Sequence, residues 1–245
     1  MLVLGIDDSG RGPMIGPMIL AGCLLDENLE KQFKKLGVKD SKQVTPKKRE
    51  VLAREIKNKA ITFEITITHP DEITARNKVK VNLNDIEAIK AAEIINKISK
   101  FIINKINFDD YQKSGKISEV NKGIGKVKVI LDCPSPNIKA WQAYLEEYID
   151  NRENLDIICE HKADVNHISV SAASILAKST REFEIGKIKN KIGKDFGSGY
   201  SSDPVTCEFL EKNFEQHKND GIFRETWSTW KNLCNRKTQK KLGEF

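Results

Sequence analysis

Short apolar segments of strand length alternate along this chain with longer stretches whose apolar residues recur at helical spacing, and that alternation points to an α/β sandwich around a mixed sheet. Leu2 to Asp7 and Met14 to Leu25 are rich in branched residues and are broken by a Gly/Pro-containing stretch, so they read as a strand, a turn and a second strand. Thr45-Pro46 supplies a helix cap followed by proline at the first helical position. Ile61 to His69 alternates as a third strand, and Ile86 to Ile102 carry the apolar stripe of a helix spanning Leu83 to Ile106. A polar stretch from Asp109 to Lys126 reads as an exposed insertion before the strand Val127 to Asp132. Helix Ile138 to Ile149, strand Leu155 to His161 and a helix starting near Val170 continue the alternation. Beyond Tyr200 the pattern is wholly helical, with Asp203-Pro204 as a second cap-plus-proline start. The expected organisation is a sheet domain at 1–196, a helical appendage at 197–234 packed on it, and a flexible tail at 235–245.

Bulk properties exclude some classes. With 39% hydrophobic and 31% charged residues the chain is in the globular range, and no apolar run nears the roughly 18 residues of a membrane span. The N-terminus places two aspartates directly after its short apolar run, which suits a buried strand rather than a signal peptide. Five scattered cysteines without a C-x-x-C pair are expected as small core residues in a reducing cytoplasm. The net charge of +6 is concentrated in the stretches Lys31 to Glu50 and Lys231 to Lys241, as suits either phosphate neutralisation or a solvated helix face.

Charge at the edge of a core is costly unless compensated. Asp7 and Asp8 follow the first strand, Asp132 follows Val-Ile-Leu, and Asp164 precedes the helix of Ser-Val-Ser-Ala-Ala-Ser-Ile-Leu-Ala-Lys. Carboxylates brought together repel one another, and a hard divalent cation with oxygen ligands is their usual resolution.

Gly-Ile-Asp-Asp-Ser-Gly-Arg-Gly-Pro at 5–13, Lys-Asp-Ser-Lys at 39–42, Leu-Asp at 131–132, Lys-Ala-Asp at 162–164, Val-Ser-Ala-Ala-Ser-Ile-Leu-Ala-Lys at 170–178 and Gly-Ser-Gly-Tyr-Ser-Ser-Asp at 197–203 together resemble ribonuclease HII, in order and approximate spacing. Ile-Phe-Arg-Glu-Thr-Trp-Ser-Thr-Trp at 222–230 looks most like its archaeal branch. The resemblance implies a ribonuclease H-like fold with a central five-stranded sheet, and a monomeric endonuclease. Asp7, Asp8, Asp132 and Asp164 would be its catalytic residues and hold two Mg²⁺ or Mn²⁺ ions. The implied reactions are hydrolysis of the RNA strand of RNA/DNA hybrids and incision 5′ to single ribonucleotides in duplex DNA. Asp8 departs from the family pattern, which has glutamate there, so metal spacing is the property most exposed to change.

By the same resemblance Gly10, Arg11 and Gly12 would reach the 2′-hydroxyl that marks a ribose, and Tyr200 would pack on the following deoxyribose. Lys42 and Lys178 would contact phosphate, whereas His69, His161, His167 and His217 lack ligand spacing and are expected to be structural or exposed. Gln239, Leu242 and Phe245 resemble the motif by which replication proteins dock on the sliding clamp. Two alternatives stay open: another nuclease of this fold, such as a type 3 ribonuclease H, a resolvase or an integrase, and a nucleic-acid binding protein impaired in catalysis.

Overall fold

The computed structural model describes residues 1–39, 44–114 and 125–242. In chain order the elements are β1 (Leu2–Ser9), β2 (Met18–Asp26), α1 (Glu27–Leu36), α2 (Pro46–Lys59), β3 (Thr62–Thr68), α3 (Pro70–Lys78), α4 (Leu83–Ser114), β4 (Val127–Asp132), α5 (Ile138–Glu146), β5 (Leu155–Glu160), α6 (Ala163–Asn166), α7 (Ile168–Ile192), α8 (Pro204–His217) and α9 (Ser228–Leu242). The strands form one mixed sheet in the order β3-β2-β1-β4-β5. β1, β4 and β5 run parallel, with Ile6 opposite Leu131 and Asp132 opposite Glu160. Met18 to Leu25 are all buried, as a continuous apolar strand requires when both sheet faces are covered.

The helix caps follow the sequence closely. Thr45 accepts a hydrogen bond from the Lys48 amide and Asp203 from that of Val205, each with proline at the first helical turn. Two helices escape the apolar-period reading because each buries so little. In α1 only Phe33 is buried, and the helix is defined instead by Asp26 capping Leu29 and by Gly37, whose φ of 86° ends it in a left-handed turn. Part of the basic stretch from Lys31 is therefore a helix face. α3 starts at Pro70 and buries Ile73 and Thr74. α4 continues to Ser114, six residues into the expected insertion, because neither glycine nor proline interrupts Leu83 to Ser114; residues 115–124 lie outside the described ones.

By contacts the chain divides into two units, and neither is a contiguous stretch of sequence. The first comprises Met1–Asp8, Leu20–Thr66 and Glu87–Ser179, the second Ser9–Ile19, Ile67–Ile86 and Thr180–Phe245. The boundaries expected at 196 and 234 are not those of the units. Within the second unit Met14 and Ile15 share a core with Ile185, Phe196, Phe209 and Phe214. Cys23, Cys133 and Cys159 are buried as expected, but Cys207 is exposed and Cys234 half-buried, so the core reading fails for Cys207. Among the described residues no helix is long and apolar enough to cross a membrane.

Candidate active site

Asp7 is set in place by a glycine two residues before it. A Cβ on Gly5 would sit 2.1 Å from the Ser169 carbonyl carbon and 2.2 Å from the Val170 nitrogen, so the first turn of α7 rests directly on β1. From that contact the helix rises about 1.5 Å per residue and the strand about 3.4 Å. Four or five residues along α7 therefore match two along β1, and Ser174 meets Asp7. The Ser174 hydroxyl hydrogen-bonds to the Asp7 carboxylate, and Lys178, one turn further on, donates to Ser174 at 3.0 Å.

Asp7 is only 6% exposed. Burial, then the charge of Asp8 and that of Asp132, hold its carboxyl well above the usual carboxylate range, against the opposing hydrogen bonds from Ser174 and the Asp8 amide. The Asp8 amide donates to Asp7 Oδ1 at 2.8 Å. Because Ile6 stands opposite Leu131 on parallel strands, the next residues, Asp7 and Asp132, reach the same level of the sheet. Asp132 Oδ1 in turn accepts the Ala163 amide at 3.1 Å, which ties β4 to the turn bearing the buried Asp164. The backbone before it is bent by Lys162, whose φ is 59°, and Ser171 donates to the Asp164 carbonyl at 2.6 Å.

All four expected acids thus belong to the first unit. Among the described residues no three His, Cys, Asp or Glu side chains stand close enough to ligate one ion as they are. The donor set still fits a hard divalent cation: it is all oxygen, and Asp7 is destabilised as an anion by the neighbours that would share the ion. His161, His167 and His217 bond to Cys133 O, Glu160 and Asp220 respectively, in keeping with structural roles.

Gly10, Arg11 and Gly12 fall in the second unit. Gly10 has a φ of +87°, and a Cβ there would lie 2.4 Å from Arg181 Nε and 2.8 Å from the Pro17 carbonyl. Arg11 Nη2 donates to Asn84 Oδ1 at 2.6 Å. A Cβ on Gly12 would come within 3.2 Å of Tyr200 Cε1, so the structure brings two of the expected substrate-reading positions side by side. Tyr200 is 38% exposed and lies beneath the Arg181 guanidinium, 5.6 Å from its ring centre. The turn before it is held by Asp203, which accepts from the Ser198 amide and hydroxyl at 2.7 Å each; those bonds lower the Asp203 pKa.

The chain matches the family model described as "Ribonuclease HII" over residues 4–230. The chain belongs to the ribonuclease HII family. It is 38% identical to the ribonuclease HII of Methanocaldococcus jannaschii over 99% of both chains. Its fold superposes on the ribonuclease H2 of Pyrococcus horikoshii with a TM-score of 0.77 at 33% identity, covering 96% of this chain and 98% of that one. The PCNA:RNase HII complex from Archaeoglobus fulgidus gives a TM-score of 0.73 at 33% identity, covering 93% and 96%. Ribonuclease HII is a metal-dependent endonuclease, and membership displaces the type 3, resolvase and integrase alternatives.

Several residues escaped the sequence reading. Ser174 stands within the segment 170–178, one helical turn before Lys178, and that spacing is its signal. Asp203 ends the 197–203 motif and caps a helix, and its hold on the Ser198 turn is visible only in the structure. Arg224 and Trp227 belong to the segment 222–230, and nothing in their spacing ties them to residues 10–12. Lys42 and Phe245 lie outside the described residues. Gln239 and Leu242 fall within the backbone span of α9.

Proposed function

We propose that this ribonuclease HII chain hydrolyses the RNA strand of RNA/DNA hybrids and incises duplex DNA 5′ to a lone ribonucleotide. Water would add to phosphorus as the bond to the 3′ oxygen breaks, and that oxygen takes up a proton, giving 5′-phosphate and 3′-hydroxyl ends. The observation that carries the reading is the buried Asp7 carboxylate in the combined field of Asp8 and Asp132. Asp7, Asp8, Asp132 and Asp164 would hold a pair of Mg²⁺ or Mn²⁺ ions, which when bound supply an activated water and stabilise the leaving oxygen. Ser174 orients Asp7, and Lys178, with Lys42, would face phosphate.

The main chain of Gly10, Arg11 and Gly12 would read the 2′-hydroxyl, consistent with the engagement of the Arg11 side chain by Asn84. Tyr200 would pack on the neighbouring deoxyribose. The test is a duplex carrying one ribonucleotide, incubated with Mg²⁺ and with Mn²⁺ and the cut mapped. A single nick 5′ to the ribonucleotide is expected. Binding without cutting in either ion would instead favour a protein impaired by the shorter Asp8.

Gln239, Leu242 and Phe245 are a proposed sliding-clamp ligand. Their spacing is that of the clamp-docking motif, and the Archaeoglobus relative is found with PCNA. Deleting 239–245 should leave cleavage of short duplexes unchanged and remove binding to the organism's own clamp in calorimetry. Undiminished binding would refute this.

A further inference from the structure

A guanidinium withdrawn from water must have its donors answered. Arg224 is 0% exposed, and main-chain carbonyls of the second unit answer it. Its Nη2 donates to Gly10 O at 2.5 Å and to Gly16 O at 3.0 Å, Nη1 to Arg11 O at 2.5 Å, and Nε to Gly16 O at 3.2 Å. Trp227 completes the set: its indole N–H donates to Gly12 O at 3.2 Å, and its ring centre lies 5.1 Å from the Arg224 guanidinium carbon. The backbone amide of Arg224 also donates to Met14 O at 3.0 Å.

Three consecutive carbonyls, those of Gly10, Arg11 and Gly12, are thus held by two side chains more than 200 positions away in sequence. None of the described peptides is cis. In a planar trans peptide the N–H points opposite to the C=O. Drawing the Gly10 and Arg11 carbonyls onto Arg224 therefore turns the N–H groups of Arg11 and Gly12 the other way. The third peptide leads into Pro13, which has no N–H. The Arg11 and Gly12 peptides are thus turned with their N–H bonds directed away from Arg224.

We infer that Arg224, supported by Trp227, is the positioning residue for ribose discrimination: it aims the amides of Arg11 and Gly12 at the substrate's 2′-hydroxyl. The inference rests on the proposed reading of that loop as the ribose sensor. Lysine cannot replace Arg224 here, because one ammonium does not span three carbonyls in a planar fork.

The test uses full-length protein carrying Asp132→Asn, so that substrate survives, and compares its affinity for a duplex with one ribonucleotide against the identical all-DNA duplex. Arg224→Lys added to this background should reduce the ribonucleotide preference about tenfold, the worth of one hydrogen bond, with all-DNA affinity unchanged. Trp227→Phe, which keeps the ring and loses the indole donor, should reduce it less, and it decides the matter if Arg224→Lys does not fold. A folded Arg224→Lys protein, or failing that Trp227→Phe, with full preference overturns the inference alone and leaves the loop as sensor. No preference in the Asp132→Asn parent overturns the loop reading and the inference with it.

Discussion

The acidic sheet end and the glycine-arginine-glycine loop are separated by one residue of sequence, Ser9, yet they are held in different ways. The acids are set by elements that contain them: β1 and β4 share a register, and α7 rests on Gly5, so that Asp7, Asp132 and Ser174 arrive together from regular geometry. The loop has no regular structure of its own, and side chains distant in sequence hold it through its carbonyls. Residues carried by regular elements announce themselves in a sequence. Residues that brace a loop do not.

The largest effect expected from breaking this contrast is at Asp7. Asp7→Asn should lower cutting of a single-ribonucleotide duplex by about 10³-fold or more, because a proposed ligand to the reacting ions is lost. The same change should raise the melting temperature of the ion-free protein. Burial and two neighbouring carboxylates raise the Asp7 pKa in the fold, so its ionisation costs stability. Wild-type stability should therefore fall as pH rises from the ordinary carboxylate pKa of about 4 to the raised value, and Asp7→Asn should remove that part of the fall. Melting curves in chelator across this pH range check it; equal slopes for the two proteins would contradict the electrostatic account.

Ser174→Ala is next in size. It removes the hydroxyl between Lys178 and Asp7 without changing the backbone of α7, and should lower the cleavage rate about tenfold. Single-turnover rates on ribonucleotide duplex and long hybrid should fall together, since the acids serve both. A loss confined to one substrate would move Ser174 out of the acid site and into recognition.

How far the sequence could be read follows the same division. β1 to β5 and the caps at Thr45 and Asp203 were legible, because period and capping chemistry are local. So were the places of the four acids in the fold, each near a strand end or a helix start. α1 and α3 were not, since one buried Phe33 or the pair Ile73 and Thr74 leaves no apolar stripe to see. Arg224 was not, because its partners are backbone carbonyls, and a carbonyl leaves no trace in residue identity.

The smallest effect is expected on the loop side. Gly12→Ala would place a methyl 3.2 Å from Tyr200 Cε1, so the ring must give by a few tenths of an ångström, and Tyr200→Ala removes it. Both should slow cleavage at a lone ribonucleotide several-fold more than cleavage of an uninterrupted hybrid, which offers no one deoxyribose to select. Equal losses on the two substrates would make Tyr200 structural and would blur the line between the two regions.

The proposed divalent-cation site comprises Asp7, Asp8, Asp132 and Asp164. Titrating Mn²⁺ into metal-free protein by calorimetry tests it without reference to catalysis. Saturable binding by wild type that is lost or much weakened in Asp132→Asn is the result expected. Binding that Asp132→Asn leaves intact would contradict it.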